Sequence, residues 1–239
     1  MILEAKGLVH FYGKRKVLEE VHLKAAAGEI VGLLGPNGAG KTTCFRILAG
    51  LMRPTSGEVY LDGKSVTRLA VYRRSRLGLG YLPQESSIFR ALTVLENIML
   101  VLAMKGVRSA ATEKRALEIL EEFRLGHVAR QKSHTLSGGE RRRLEIARAV
   151  TAAPKILMLD EPFTGIDPVT VDDLRSLLGE LKRRGIGIVL TDHNARETLK
   201  VIDRSYLIHS GKVLLEGDAR TLLNDERARR LYLGWEMSL

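Results

Sequence analysis

The stretch EIVGLLGPNGAGKTT, residues 29–43, permits few backbones. Its first half is apolar without alternation, the pattern of a strand covered on both faces of a parallel sheet. Its second half places glycines at 35, 38 and 40, and TTCFRILAGL then reads as a helix. Glycines let a backbone wrap closely around an anion, with successive N–H groups turned inward. The N-terminus of the following helix adds positive potential. Gly35, Gly40, Lys41 and Thr42 satisfy G-x-x-x-x-G-K-[ST] in this strand–turn–helix setting. The spacing therefore predicts a phosphate cradle made by Gly35, Pro36, Asn37, Gly38, Ala39, Gly40, Lys41, Thr42 and Thr43. Lys41 is placed to reach β- and γ-phosphates, and the Thr42 hydroxyl to ligate Mg2+.

Two further apolar runs, KILMLDEP and GIGIVLTDH, share the buried-strand pattern. ILMLDEP ends in two acids. By itself that is an ordinary strand end; after a phosphate loop it predicts Asp160 near Mg2+ and Glu161 beside an attacking water. A general base of this kind contributes about 10²–10⁴-fold. Leu174, Leu177, Leu178 and Leu181 recur with helical period before a stop at Gly185, and Ala116, Ile119, Leu120 and Phe123 do the same. Residues 85–150 hold no buried-strand run. The expected fold class is α/β: a mostly parallel sheet, an antiparallel β layer at the N-terminus, and an inserted α-helical subdomain. The expected division is a core of residues 1–84 and 151–239 with the helical part at 85–150. Two hairpins are expected, one turning at Asp62-Gly63 and one in SYLIHSGKVLLEGD, before a short charged helix.

LSGGERRRLEIARAV poses a different problem. Ser137 and Glu140 have capping-box spacing, so Ser137 starts a helix. Gly138 and Gly139 weaken that same helix. Glycines there suit an approaching phosphate, but the phosphates already have a site at residues 35–42. The consistent arrangement has Ser137, Gly138 and Gly139 facing the γ-phosphate held by another copy of the chain.

Composition bounds the partners. A hydrophobic share of 45% supports a real core, and the net charge of +10 suits either an anionic partner or a plain solvated surface. Cys44 is the only cysteine, which leaves no intrachain disulfide and no cysteine-based zinc site; it reads as a small packed residue. No apolar run reaches the length of a membrane span. MILEAKGLVHFYGK carries charges where a signal peptide needs an apolar core. A cytosolic chain is expected, with any membrane role exerted through partners.

Taken in order, GPNGAGKTT, LSGGE and ILMLDEP resemble the Walker A, signature and Walker B motifs of ATP-binding cassette (ABC) ATPases, and the resemblance covers essentially the whole chain. It implies a RecA-like P-loop NTPase core, ATP and Mg2+, and a head-to-tail homodimer that drives separate transmembrane subunits. Further residues match by motif. Tyr12 in FYGK resembles the aromatic that stacks on adenine; an edge-strand tyrosine is the alternative. Gln84 in YLPQ resembles the glutamine that touches Mg2+ or water, and Asp167 in TGIDP resembles the D-loop aspartate. His193 in LTDHN resembles the switch histidine near the γ-phosphate. Many members carry glutamine where this chain has Glu140, whose side chain is expected to turn back onto its own helix.

Within the family, GLGYLPQESSIFRALTVLENI, LSGGERRRLEIARA, DEPFTGIDP, LTDHNARETL and a YLG near the end are similar to the ATPase of lipopolysaccharide exporters. The ATPases of branched-chain amino-acid importers share YLPQ and the single-cassette length. The resemblance implies a peripheral place on the cytoplasmic face of the inner membrane. It also implies docking of transmembrane subunits on the helical insert. Phe89 is the candidate apolar anchor there, or a core residue, and Arg90 the candidate partner of an acid. A non-transport role in repair or translation would call for coiled-coil or zinc insertions or a second cassette. None is seen in the sequence, and only weak, non-specific nucleic-acid binding is expected.

Overall fold

A computed structural model describes residues 1–107 and 109–234, with the side chains of 109, 110, 168 and 169 left aside. The chain runs β1 (Ile2–Tyr12), β2 (Arg15–Ala26), β3 (Ile30–Leu34), α1 (Lys41–Ala49), β4 (Ser56–Leu61), β5 (Lys64–Ser65), α2 (Val71–Arg76) and β6 (Leu79–Leu82). Three helices follow, α3 (Val94–Met104), α4 (Ser109–Glu122) and α5 (Gly138–Thr151). Then come β7 (Ile156–Asp160), α6 (Pro168–Arg183), β8 (Gly187–Thr191), α7 (Ala195–Leu199), β9 (Arg204–His209) and β10 (Lys212–Gly217). Two short helices, α8 (Ala219–Asn224) and α9 (Glu226–Ala228), lead into a π-helical turn at Arg229–Leu233.

The main sheet has the order β10-β9-β3-β8-β7-β6. All its pairings are parallel except the hairpin of β9 with β10. Every residue of β3, β7 and β8 is buried, as unbroken apolar runs require. The two faces go to different cores. Ile156 and Met158 of β7 pack with Phe45 and Leu48 of α1 and with the N-terminal layer, while Leu157 and Leu159 pack with α5 and α6. The N-terminal layer is an antiparallel sheet of order β2-β1-β4-β5, and Asp62 and Gly63 turn its last hairpin at positive φ. Among the described residues, 85–150 holds α3, α4 and α5 and no strand beyond one isolated bridge. The expected α/β fold class, with an antiparallel layer and a mostly parallel sheet, is thus present.

One buried cation was not anticipated from sequence. Arg74 of α2 is 1% exposed and donates to the carbonyls of Ile47 (2.8 Å), Leu48 (2.6 Å), Leu69 (3.1 Å) and Thr67 (3.1 Å). Two of these are carbonyls of the last turn of α1, which no residue of that helix can satisfy. Burial pushes the guanidinium down to about 10. Arg74 so fastens the far end of the helix whose near end carries the phosphate loop.

Candidate functional site

The loop between β3 and α1 starts at Gly35, with φ 147. A Cβ there would lie 2.1 Å from the Ile208 carbonyl oxygen of β9, so only glycine lets the loop leave the sheet so closely. Its residues from Asn37 to Thr43 line an open cleft of about 470 Å³, which Tyr12, Glu161 and His193 also border. The Lys41 ammonium folds back on the loop, donating to the carbonyls of Gly35 (2.6 Å) and Pro36 (3.0 Å). Burial lowers its pKa, against the charges of Glu161 and Asp192. Thr42 is exposed.

Three strand ends meet beside the cleft; Glu161 and His193 line it, and Gln84 reaches it through Glu161. Gln84 follows β6, Glu161 follows β7 and His193 follows β8, and these strands are neighbours in that order. Asp160 is buried and accepts from Thr191 Oγ1 (2.8 Å) and Tyr81 Oη (3.3 Å). Burial, then Asp160, pushes Tyr81 up to about 12, so its hydroxyl stays a donor at neutral pH. Glu161 has φ 49, a conformation rare outside glycine, while its N–H donates to the Thr191 carbonyl (2.9 Å). The carboxylate lies with Oε1 2.5 Å from His193 Nε2 and with Oε2 accepting from Gln84 Nε2 (2.7 Å). Positive-φ strain of this kind is typical of functional positions.

Asp192 was missed by sequence reasoning. It is fully buried and accepts from the N–H groups of Phe163 (2.8 Å) and Asn194 (2.8 Å), so it ties the turn after Glu161 to the turn after His193. Burial raises its pKa. Tyr232 of the π-helical turn donates to the Asp192 carbonyl (3.3 Å), and burial raises its pKa too. The only sequence signal was an acid directly before the candidate histidine. The YLG residues Tyr232, Leu233 and Gly234 are in view; residues 235–239 of the tail lie outside the described residues.

Ser137, Gly138 and Gly139 do not line the Lys41 cleft. Ser137 caps α5 in a full capping box, its N–H donating to Glu140 Oε2 (2.9 Å) and its Oγ accepting from the Glu140 N–H (3.3 Å). Glu140 turns back onto its own helix, as expected, and the Ser137 hydroxyl is the main cause of its lowered pKa. The two glycines separate. Gly139 is buried, and a Cβ there would sit 2.9 Å from Thr170 Oγ1. Thr170 in turn donates from Oγ1 to Asp167 Oδ2 (2.6 Å) and from its N–H to Asp167 Oδ1 (3.0 Å), capping α6. Packing within the chain is thus a sufficient reason for Gly139. Gly138 is exposed, and among the described residues nothing lies within 4 Å of its Cβ position, so no packing among them requires it.

Tyr12 ends β1 with its ring 48% exposed and in edge contact with His10. Phe89 is 47% exposed rather than in the core, and the Arg148 guanidinium covers its ring at 4.8 Å. Asn97 holds that loop, accepting from the Phe89 N–H (2.9 Å) and donating to its carbonyl (3.1 Å). Arg90 is exposed. Cys44 is fully buried, and burial pushes its thiol up to about 12, in keeping with a packed, inert residue.

Residues 18–164 match the ABC transporter family, and this span takes in the phosphate loop, the Ser137 cap and the acidic strand end. The chain belongs to that family. It is 52% identical over 237 residues to a probable ABC transporter ATP-binding protein of Azorhizobium caulinodans, covering 99% of this chain and 84% of that one. It is 47% identical over 239 residues to the lipopolysaccharide export system ATP-binding protein LptB of Haemophilus influenzae, covering 100% of this chain and 99% of the relative. Among solved structures, the ADP conformation of an ABC transporter cassette superposes with a TM-score of 0.88 at 28% identity, over 98% of each chain. A cassette dimer bound to ADP and Pi gives 0.80 at 30% identity, over 91% of this chain and 99% of that one. This ABC cassette is therefore an ATP-binding α/β ATPase subunit of a transporter. Among the described residues no helix is long and apolar enough to cross a membrane.

Proposed function

We propose that the chain is the ATP-hydrolysing subunit of a lipopolysaccharide exporter, peripheral on the cytoplasmic face of the inner membrane. The meeting of Gln84, Glu161 and His193 beside the phosphate loop carries the catalytic part. Full-length identity of 47% and 46% to two LptB proteins supports the cargo.

ATP is held by the loop from Gly35 to Thr43, with Tyr12 against the adenine. Lys41 exchanges its two loop carbonyls for phosphate oxygens, which favour the ammonium more strongly. Glu161 accepts a proton from the attacking water, while His193 and Gln84 hold its carboxylate in place. The donors for Mg2+ are hard oxygens: the Thr42 hydroxyl, the Gln84 side chain and Asp160, directly or through water. Among the described residues no cluster of three His, Cys, Asp or Glu could hold a metal. That fits an ion which takes few protein ligands and draws the rest from phosphates and water. When bound, Mg2+ would neutralise charge on the reacting phosphates.

Two copies pair head to tail, with Ser137, Gly138 and Gly139 of each toward the nucleotide of the other and Asp167 at the seam. Each γ-phosphate then contacts both copies, and its loss on hydrolysis loosens the pair. Residues 85–150 act as the helical subdomain against a core of residues 1–84 and 151–239. Transmembrane subunits dock near Phe89 and Arg90.

The test is to tag the chain, solubilise native membranes gently and identify what copurifies. Two lipopolysaccharide-export membrane subunits are expected. Amino-acid permease subunits would replace the cargo assignment and leave the ATPase chemistry in place. Absence of any membrane partner would overturn the transport assignment.

A further inference from the structure

Ser137 meets Glu140 in a way that bears on pairing. The Ser137 hydroxyl donates to Glu140 Oε2 at 2.7 Å, and the Ser137 N–H donates to the same oxygen at 2.9 Å. The other oxygen, Oε1, lies 3.2 Å from His127 Nε2, which holds the carboxylate from the opposite side. A hydroxyl has one proton and otherwise only lone pairs. A phosphate oxygen that carries no proton can only accept. As it stands, then, Ser137 offers lone pairs to an arriving phosphate, because its proton is already taken.

We propose that Glu140 is a positioning residue that withholds the Ser137 hydroxyl from the partner-held nucleotide, so that ATP-driven pairing of two copies must first break the Ser137–Glu140 bond. The inference rests on the head-to-tail pairing proposed above. Shape alone does not demand an acid at 140, since glutamine completes a capping box equally well. What glutamate adds is charge: an O–H···O⁻ bond is roughly twice as strong as its neutral counterpart. The same charge sits directly on the hydroxyl that an incoming γ-phosphate would have to engage. His127, on the solvent side, meets the other carboxylate oxygen. Glu140 thereby sets how much ATP is needed before two copies close on one another. A chain whose serine is held in this way stays open until the nucleotide competes successfully for a single proton.

The experiment measures dimer formation against Mg-ATP concentration by light scattering, in a Glu161→Gln background that suppresses turnover. Glu140→Gln is expected to lower the ATP concentration for half-maximal dimerisation about five- to tenfold, the difference between a charged and a neutral hydrogen bond. The thermal midpoint of the isolated chain should fall by only about 2–4 °C, because the capping box is retained and only its charged bond becomes neutral. The same substitution is then made together with Ser137→Ala. With no hydroxyl to release, Glu140→Gln is expected to bring no gain there. An equal gain in both backgrounds would overturn the proposal, since relief of charge repulsion would then suffice. No gain in either background would overturn it as well. If Ser137→Ala alone left the ATP requirement unchanged, the head-to-tail assignment of Ser137 would fail first, and this inference with it.

Discussion

The carboxylate of Glu161 and the imidazole of His193 lie 2.5 Å apart, at the ends of the neighbouring parallel strands β7 and β8. Gln84, from the next strand, grips the other carboxylate oxygen. A base held on both sides is ready to take a proton without reorganising. We expect Glu161→Gln to bind ATP normally and to lose about 10²–10⁴-fold in kcat. Steady-state phosphate release together with an ATP-binding titration checks this, and undiminished hydrolysis would remove Glu161 from the role.

The two signature glycines should fail differently. Gly139→Ala must displace Thr170, and with it the Asp167 cap, so a loss of about 1–3 kcal/mol of stability is expected. Gly138→Ala meets nothing among the described residues, so its thermal midpoint should not fall while ATP-driven dimerisation suffers. Thermal melts paired with the light-scattering assay separate the two. A destabilised Gly138→Ala would contradict the open space beside it.

Arg74 closes the last turn of α1 from another helix. Arg74→Ala takes a donor from four carbonyls, two of them buried, and empties the space of a fully buried side chain, at a cost of about 3–5 kcal/mol. In a chain of this size that is a fall in thermal midpoint of roughly 10 °C. Calorimetry of the variant reads it directly, and a shift within 1–2 °C (about 0.5 kcal/mol) would mean the carbonyls find water instead.

Cys44 offers a pH test. Its folded thiol is pushed up to about 12 by burial, whereas an unfolded thiol ionises near ~8.5. A raised folded value means the contribution is fully present at low pH. It is lost as pH climbs from the unfolded toward the folded value, by up to about 1.4 kcal/mol per pH unit. Folded protein at pH 8.5 should therefore resist a thiol reagent that labels the unfolded chain at once. Rapid labelling without denaturant would show that the thiol is reached in the native state.

Phe89 is presented to solvent under the Arg148 guanidinium, on a loop pinned by Asn97. Phe89→Ala and Arg90→Ala should weaken copurification of transmembrane subunits by tenfold or more, about 1.4 kcal/mol, with the ATPase rate of the isolated chain unchanged. Intact assembly and transport in both variants would place the docking surface elsewhere.

Much of this protein was legible in its sequence because the relevant physics is local. An unbroken apolar run of five residues can be only a covered strand or a buried helical piece, and the glycines and acids at its ends decide which. That logic located β3, β7 and β8, the phosphate loop, the Ser137 cap and the inward turn of Glu140. The tertiary structure decided what no local pattern encodes. Strand order brought Gln84, Glu161 and His193 to one point, though each stands alone in the sequence. Packing against Thr170 explained Gly139 and left Gly138 open. Asp192, Arg74 and Tyr232 acquired their roles only from groups that reach them across the fold. Local conformation follows from a residue and its neighbours in the chain, whereas a buried charge or a close approach is defined by whatever the fold sets against it.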